Sequence, residues 1–479
     1  MKKTGLFKII MFVLLGIALI TWFVSASFFQ EGELVELGMY NIGFFDYFQL
    51  IINSFEFSYF IQILILLLSI GALYGVLGKT GKYRALVEKI ANNFKGAELP
   101  FLLITAIVIV IISSVFDYGL IMFIFFPFII SILLQLGYDK ITAILDTFGS
   151  MLIGTIGSTL GANTAGMLHA VLETNFKDCS LYSLILLALA LVVFIFFLAK
   201  SKRLKKKEYD EKEDMFIGEK ISNKYSVAPI IVIFSLIFVI MVLGCTNWKE
   251  TFDVDVFENF HTNLTTKEFK LPYVRLTSKG FETGKEKVAI FGKLFGKVNP
   301  FGAWQFTEMS IVCLLAALIL GICYKMKFKD RLKYMYDGAK KMMQPALTVM
   351  LIYTVIYFAG NTLFYPTIVA NVIGLTNKFN LVLNTLLITI GSALHVDMLY
   401  LANYVVPQLA TQNIETNVLA TMVQGLHGST MLIAPTSAVI ALGLSYLGVN
   451  YKDWVKRIWK LALILFAITI VVTVLAILL

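Results

Sequence analysis

The chain has 479 residues, of which 58% are hydrophobic and 15% are charged, with a formal net charge of +9. A soluble globular domain carries about a quarter charged residues and cannot bury so much apolar surface, so the composition excludes a soluble globule. It indicates an integral membrane protein whose surroundings are a lipid bilayer. A basic surplus is typical of the loops that orient membrane spans, so it gives no argument for nucleic acid as a partner.

Six segments are long and apolar enough to cross about 30 Å of hydrocarbon as single helices. They lie near residues 6–28, 58–78, 179–199, 226–245, 306–324 and 459–479. The first is too long for the apolar core of a signal peptide, and no small-residue cleavage site precedes Glu31. We therefore expect the chain to retain it.

Lysine and arginine are concentrated in segments that should face the cytoplasm. These segments are residues 1–8, 79–100, 200–207, 325–341 and 452–460. The segment between the first two spans has five acidic residues and no basic one, as an external loop should. We expect a multi-pass protein of the bacterial cytoplasmic membrane with its N-terminus in the cytoplasm. The number of spans that precede the mixed-charge stretch 246–305 then places that stretch outside.

Two further regions, residues 101–170 and 345–447, are apolar but interrupted by small and polar residues, and their motifs match in order. The matched motifs are Leu102-Leu103-Ile104-Thr105 with Leu386-Leu387-Ile388-Thr389, Asp117 and Pro127 with Asp397 and Pro407, and Gly157-Ser158-Thr159 with Gly428-Ser429-Thr430. A second threonine follows each of the last two motifs, at Thr164 and Thr436. The shared order predicts an internal duplication.

The distribution of charge and the number of spans between the two predicted repeats give them opposite orientations in the membrane. Each half contains a hairpin that enters and leaves by one face, at 101–136 on the cytoplasmic side and at 381–411 on the outside, and a broken helix, at 142–170 and 415–447. The predicted fold class is an all-α polytopic membrane protein with about nine full spans and two re-entrant hairpins. Its units are a first repeat at 1–199, a charged cytoplasmic linker at 200–225, a connecting span at 226–245, an external loop at 246–305 and a second repeat at 306–479. Inverted repeats with broken helices are the architecture of secondary transporters.

Glycine in the broken segments frees backbone amides and carbonyls, which lipid tolerates only around a protected cavity. Half-helix N-termini suit a carboxylate, whereas carbonyl and hydroxyl oxygens suit sodium. The candidate substrate- or ion-binding residues are Ser158, Thr159, Asn163, Thr164, Ser429, Thr430, Thr436, Ser437, Asp117 and Asp397. The candidates for a sodium site are Gly157, Ser158, Asn163, Gly428 and Ser429. The alternative is that small residues serve close helix packing and hydroxyls bond their own backbone.

Asp117 and Asp397 are predicted near hairpin tips inside the apolar zone, where a charge is costly and by default marks an ion or proton pathway. Asp146 lies closer to the cytoplasmic edge and is a weaker candidate of the same kind. His395 and His427 flank the second-half motifs and could carry protons, although a buried histidine is more often neutral and hydrogen-bonded. Weaker lining candidates are Asn361, Asn403 and Gln424.

Several motifs that would indicate other functions are absent from the sequence. It has no HExxH, GxSxG or P-loop pattern, which argues against an enzyme and against an ATP-driven pump. The cysteines, at 179, 245, 313 and 323, are singly placed and predict packing, with no disulfide or metal site. No lysine or arginine falls in the predicted hairpins or broken helices, so an anionic substrate would depend on helix dipoles, hydroxyls and a co-bound cation. We expect no resident cofactor, and Na+ or H+ as a coupling ion.

Some of these motifs resemble the YfcC family. They are Gly157-Ser158-Thr159 with Asn163 downstream, residues 304–310 (WQFTEMS), Gly338-Ala339 with Pro345-Ala346-Leu347, and Pro435-Thr436-Ser437 through residues 450–454. That family belongs with the anaerobic four-carbon dicarboxylate carriers and arginine/ornithine-type exchangers of the ion transporter superfamily. The resemblance implies a secondary carrier for amino acids or carboxylates, with an inverted repeat and two re-entrant hairpins. The family's usual Asn-Pro-Phe is not kept, because Asn163 is followed by Thr164 and Ala165.

The sequence therefore predicts a secondary active transporter of small amino acids or carboxylates that works by alternating access, as a cation-coupled symporter or an exchanger. Asp117 and Asp397 would neutralise a cationic substrate. An anionic substrate would be held by hydroxyls and helix ends, which leaves the aspartates to the coupling ion. The alternatives are a membrane scaffold or assembly protein that docks through the 246–305 loop, and a passive channel. A homodimer is also left open.

Overall fold

A computed structural model describes residues 5–30, 32–175, 181–200, 214–218, 225–277, 280–296, 298–376 and 378–478. Cys179 and most of the predicted linker at 200–225 lie outside these residues. The described chain is mostly helical, which confirms the predicted fold class. Two β-hairpins, which the sequence did not predict, lie in the two segments expected to be external. Their strands are β1 (Ala26–Gln30) with β2 (Glu33–Gly38) and β3 (Phe269–Thr277) with β4 (Gly280–Val288).

The helices of the first half precede the charged linker. They are α1 (Gly5–Ile20), α2 (Phe44–Ser54), α3 (Ser58–Lys79), α4 (Lys82–Asn93), α5 (Glu98–Val115), α6 (Phe126–Gln135), α7 (Lys140–Ile144), α8 (Ser150–Ile156), α9 (Met167–Val171) and α10 (Leu181–Ala199). A 3-10 helix at Gly119–Ile124 follows α5, and π-helical turns at Leu145–Gly149 and Ala162–Gly166 precede α8 and α9.

The helices of the second half begin with the connecting span. They are α11 (Ala228–Cys245), α12 (Trp248–Phe252), α13 (Val256–Thr266), α14 (Ile290–Phe295), α15 (Phe306–Cys323), α16 (Phe328–Thr362), α17 (Phe364–Ile373), α18 (Leu381–His395), α19 (Met398–Tyr404), α20 (Val406–Ala410), α21 (Thr416–Met431), α22 (Ala438–Leu447) and α23 (Tyr451–Leu478).

Seven helices of the described chain are long and apolar enough to cross a membrane, namely α3, α5, α10, α11, α15, α16 and α23. The count of about nine spans stays a prediction. The first predicted span reached residue 28, but α1 ends at Ile20 because the chain then enters β1. There the Ser27 amide donates to the Leu363 carbonyl oxygen at 3.0 Å, which ties the strand to the end of α16.

Five helices form a group that we call the frame helices: α1, α3, α11, α15 and α16. α3 packs against α15 and α16, α1 packs against α16, and α11 packs against α15. A Cβ added to Gly75 would lie 2.3 Å from the Tyr334 carbonyl oxygen, and one on Gly338 would lie 2.1 Å from the Gly71 carbonyl oxygen. No side chain fits at these distances, so α3 and α16 approach this closely only because glycines meet at their crossing.

The remaining membrane helices form a second group, which we call the site unit: α5 to α10 and α18 to α23. Within it α5 packs on α8 and α10, and α21 packs on α8, α18 and α23. The site unit meets the frame helices where α16 contacts α18 and α22. Each half thus supplies one hairpin and one interrupted helix to the same unit, while the exact repeat boundaries remain predictions.

Candidate functional site

The tip of the first hairpin presents Asp117. Helix α5 ends at Val115, and Asp117 then adopts a left-handed backbone with φ of 49° before the 3-10 helix begins. In the second hairpin the matching strain falls on Val396, with φ of 56°, one residue before Asp397. A β-branched residue rarely adopts this conformation. Strained backbone of this kind is held in place by its surroundings and is concentrated at functional sites.

Hydrogen bonds join the end of α5 to the interruption between α8 and α9. The Ser114 hydroxyl donates to the Gly157 carbonyl oxygen at 2.7 Å, and the Thr159 amide donates to the Ser114 carbonyl oxygen at 2.9 Å. These bonds satisfy backbone groups that the break would otherwise leave unpaired. Ser114 was missed by sequence reasoning, although its place just before Asp117 on an apolar segment is a usable signal.

Three of the predicted site residues meet at the hairpin tip. The Thr164 hydroxyl donates to Asp117 Oδ2 at 2.6 Å, and the Asn163 side-chain amide donates to the Asp117 carbonyl oxygen at 2.6 Å. Asp117 is 6% exposed, whereas Asn163 is an exposed residue. A Cβ on Gly161 would lie 2.7 Å from Ser158 Oγ and 2.8 Å from Asp117 Cβ, so a glycine lets the tip reach the break.

The second-half motif lies against the first. A Cβ on Gly428 would lie 3.0 Å from the Ile156 amide nitrogen, at the end of α8 where Gly157 begins the break. The Gln424 side-chain amide donates to the Ser158 carbonyl oxygen at 3.2 Å and to Ser183 Oγ at 2.9 Å. Gln424, a weaker candidate from the sequence, therefore links the two halves.

The two interruptions differ in position. Gly157-Ser158-Thr159 lies within the first break, whereas Gly428-Ser429-Thr430 lies in the last turn of α21. The second break falls at residues 432–437, around Pro435, because proline cannot continue the helix. Ser437 caps α22, and its hydroxyl accepts from the Ile440 amide at 3.4 Å.

Four predicted hydroxyls are buried without a hydrogen-bond partner among the described residues. They belong to Ser158, Ser429, Thr430 and Thr436, each at most 8% exposed. An unpaired buried polar group costs about 1–3 kcal/mol, so it is normally explained by a ligand, an ion or an ordered water. In the second hairpin, the Ser392 hydroxyl and the Gln408 amide are in the same situation, and no sequence signal pointed to either.

Asp397 is held differently from Asp117. Its Oδ1 accepts from the Leu399 amide at 3.1 Å, which caps α19, and its Oδ2 accepts from the Tyr59 hydroxyl of α3 at 3.0 Å. No direct bond joins it to Ser429 or Thr430 among the described contacts. Helix α19, which Asp397 caps, nevertheless packs on α9 and on the π-helical turn Ala162–Gly166, whose Thr164 bonds Asp117.

The remaining candidates lie outside this cluster or behave as core residues. His395 Nδ1 lies 2.9 Å from the Gly391 carbonyl oxygen, and its ring packs between two tyrosines, as expected of a core histidine. Asn361 and Asn403 are exposed, and each donates to a carbonyl oxygen of its own helix. His427 is buried, with no partner for Nδ1 among the described residues.

Comparison with known proteins assigns the family. The family model described as the C4-dicarboxylate anaerobic carrier matches residues 4–478. The chain belongs to the C4-dicarboxylate anaerobic carrier family. Among solved structures, the carrier is similar to the YdaH transporter of Alcanivorax borkumensis, with 12% identity, 98% coverage of both chains and a TM-score of 0.42. None of the curated proteins compared matches it. Membership of the family confirms the expected membrane-transporter class.

The Thr164–Asp117 bond can be tested by removing one hydroxyl. Thr164→Val keeps the shape of the side chain but leaves a buried carboxyl oxygen without its donor, at a cost of about 1.5–3 kcal/mol. We expect a lower melting temperature of the purified carrier, followed by tryptophan fluorescence. The matched control is Thr473→Val, whose hydroxyl donates only to the Thr469 carbonyl oxygen within α23. Equal shifts for the two variants would contradict a special role for the Asp117 contact.

Proposed function

We propose that this carrier is a secondary active transporter of a small carboxylate or acidic amino acid that binds between the two Gly-Ser-Thr motifs. The observation that carries the proposal is the set of four buried, unpartnered hydroxyls. Ser158 comes from the first half, and Ser429, Thr430 and Thr436 come from the second. A carboxylate accepts hydrogen bonds from hydroxyls, so an anionic substrate would satisfy groups that the described part of the protein leaves unpaired.

The hydrogen bonds of the aspartates favour an anionic over a cationic substrate. Each carboxyl oxygen of Asp397 already accepts a bond from within the protein, and Oδ2 of Asp117 accepts from Thr164. Carboxyl groups engaged in this way are poorly placed to neutralise a cationic substrate. The family is described as a carrier of C4-dicarboxylates, which supports the same choice.

An anion beside two carboxyl groups needs a compensating positive charge, and the hairpins and broken helices contain no lysine or arginine. A co-bound cation, sodium or a proton, would supply that charge. Among the proposed sodium residues, Ser158 and Ser429 offer unpartnered hydroxyl oxygens. The Gly157 carbonyl oxygen already accepts from Ser114, so it is less available as a ligand.

The contacts of the hairpin tips support a site toward one end of the frame helices. Tyr59, which bonds Asp397, lies in the first turn of α3. Tyr118, next to Asp117, bonds Thr246 at 2.7 Å, directly after the end of α11. Both ends adjoin the segments assigned to the outside by charge and parity, and Asn163 is exposed nearby. We infer that this conformation opens to the outside, and that transport requires the site unit to move or open relative to α3 and α11.

Uptake into proteoliposomes tests the function directly. We expect saturable uptake of labelled succinate or aspartate that depends on an imposed sodium or proton gradient, or on counter-substrate inside. Arginine and ornithine should be transported poorly because the site lacks a free carboxylate pair. Flux of none of the four would contradict the carrier proposal, and a preference for arginine would contradict the anionic substrate. Non-saturable equilibration would indicate a passive channel instead.

Substitution of the unpartnered hydroxyls separates binding from folding. Ser158→Ala and Ser429→Ala remove hydroxyls that have no partner among the described residues, so the melting temperature should not fall. Each should raise KM for the transported anion about tenfold to a hundredfold, because a hydrogen bond to a charged group is worth about 1.5–3 kcal/mol. The control is Ser310→Ala on α15, whose hydroxyl donates to the Phe306 carbonyl oxygen. Wild-type KM in both site variants would remove the motifs from the proposed site.

Cysteine labelling tests the outward opening. The Asn163→Cys variant, in a carrier whose four native cysteines are replaced by serine, should react with a membrane-impermeant maleimide added outside intact cells. Added substrate should slow the reaction, because it would bind beside Asp117. Ser429→Cys is the matched control, and it should react slowly since Ser429 is 2% exposed. Labelling of the Asn163→Cys variant only from the cytoplasmic face, in inverted vesicles, would contradict the assigned conformation.

A further inference from the structure

Asp146 is a buried carboxyl group that the proposed site does not use. It lies in the π-helical turn between α7 and α8 and is 0% exposed. Its Oδ2 lies 2.8 Å from the Thr105 hydroxyl of α5, and its Oδ1 has no partner among the described residues. An ionised carboxylate held in apolar surroundings with one hydrogen bond is very costly, so such a group is retained for a function or is neutral.

No ion pair to Asp146 is found among the described residues; the guanidinium of Arg457 on α23 bonds the Thr142 hydroxyl at 3.0 Å, one helical turn before Asp146. The elements packed on the turn that holds Asp146 are α5, α6, α7, α8 and α22. Their titratable residues are Glu98 at the start of α5, Lys140 at the start of α7 and Tyr446 on α22, while α6 and α8 have none. Lys140 precedes Asp146 by six residues, about 9 Å along a helix, and Glu98 precedes Thr105 by about 10 Å. Both charged residues therefore mark the cytoplasmic end of these helices, one or two turns from the buried carboxyl.

The hydrogen bonds of Thr105 fit a neutral Asp146. A threonine hydroxyl has one proton to donate. Its oxygen lies 2.9 Å from the Leu102 carbonyl oxygen and 3.0 Å from the Phe101 carbonyl oxygen, as well as 2.8 Å from Asp146. If Asp146 is protonated, its O–H donates to Thr105 and Thr105 donates back into α5, so each proton has an acceptor. Oδ1 is then an uncharged carbonyl oxygen, which is far less costly to leave unpaired than a carboxylate oxygen.

We propose that Asp146 binds the coupling proton of this carrier, a site separate from the anion site at the Gly-Ser-Thr motifs. The proposal rests on the proposed transport function and names its coupling ion. A proton from water on one side of the membrane adds to a carboxylate oxygen of Asp146, and the same O–H bond breaks when the proton is released to water on the other side. A metal cation fits less well, because hard cations collect about six oxygen ligands. Among the buried side-chain oxygens without a partner in the described residues, besides Asp146 Oδ1, Ser150 Oγ follows four positions later in the chain.

The position of the bond explains how a proton could control transport. Thr105 lies on α5, which ends at Val115, two residues before Asp117, and Asp146 lies on the segment that continues to Ser158. The Thr105–Asp146 contact therefore joins the two elements whose far ends form the anion site. Loss of the proton puts a charge into this apolar contact, which favours water penetration and separation of α5 from the broken helix. Protonation restores the contact and holds the hairpin against the site.

The test compares Asp146→Asn with Asp337→Asn in the full-length carrier in proteoliposomes. Asparagine mimics the neutral carboxyl but cannot release a proton, whereas Asp337 is an exposed carboxylate on α16. We expect the ratio of proton-driven uptake to substrate exchange to fall about tenfold or more in Asp146→Asn, with exchange losing its pH dependence. Asp337→Asn should retain the wild-type ratio, and Asp146→Glu should recover part of it.

A spectroscopic readout keeps the proposal testable without transport. Infrared difference spectra of the purified carrier between alkaline and acidic pH should show a protonated carboxyl band that disappears in Asp146→Asn and persists in Asp337→Asn. Persistence of the full set of bands in Asp146→Asn would overturn the proposal. Unchanged proton-driven uptake in that variant, or wild-type uptake that follows sodium and ignores pH, would also overturn it. If the wild type transports no substrate at all, the proposed function fails while the infrared spectra still decide whether Asp146 binds a proton.

Discussion

A helix that breaks inside a bilayer depends on protein partners for the backbone groups that the break releases, because lipid offers none. Here the partner is the tip of the first hairpin. Ser114 bonds both Gly157 and Thr159, and Thr164 and Asn163 bond Asp117. The hairpin and the broken helix are therefore one structural unit: neither end of the contact would be stable in lipid without the other. The remaining features of the site follow from this contact, including its proximity to α21 through Gly428.

The two predicted repeats do not have the same chemistry. In the first half the Gly157-Ser158-Thr159 motif is non-helical, and Asp117 accepts a hydrogen bond from Thr164, which follows that motif. In the second half the motif is helical, and Asp397 instead caps α19 and bonds Tyr59 of a frame helix. Consequently, the first half contributes a hairpin bonded to its own break and the Ser158 hydroxyl, and the second contributes the other three hydroxyls that lack a partner among the described residues, together with a contact to α3. A transporter that moves its site relative to the frame helices would have to break the hydrogen bond between Tyr59 and Asp397. The contacts of the second hairpin would therefore change with the conformation more directly than those of the first.

The sequence predicted those features that depend on local pattern. Apolar length indicated the spans, and small polar residues in matching order indicated the hairpins and the broken helices. It did not predict contacts that depend on distant parts of the chain: Tyr59 and Asp397 are separated by 338 positions, and Thr105 and Asp146 by 41. The second break was predicted within 415–447; Gly428-Ser429-Thr430 stays helical in α21, and the break falls around Pro435. The β-hairpins were missed because they lie in segments judged only by charge.

Electrostatics gives a reason for placing the proton-binding carboxyl group away from the substrate and from the cation that would balance the substrate's charge. An anion at the proposed site between the Gly-Ser-Thr motifs would lie near Asp117 and the α19 end that Asp397 caps. A further ionised carboxylate there would repel the substrate, whereas a carboxyl about 12 residues earlier along the same segment can ionise without facing it directly. Its effect would reach the site through the rigid path from Asp146 along α8 and from Thr105 along α5. Protonation of Asp146 would then act on the anion site through movement of α5 and α8, because α5 leads to the hairpin tip and α8 leads to the helix break that bonds it.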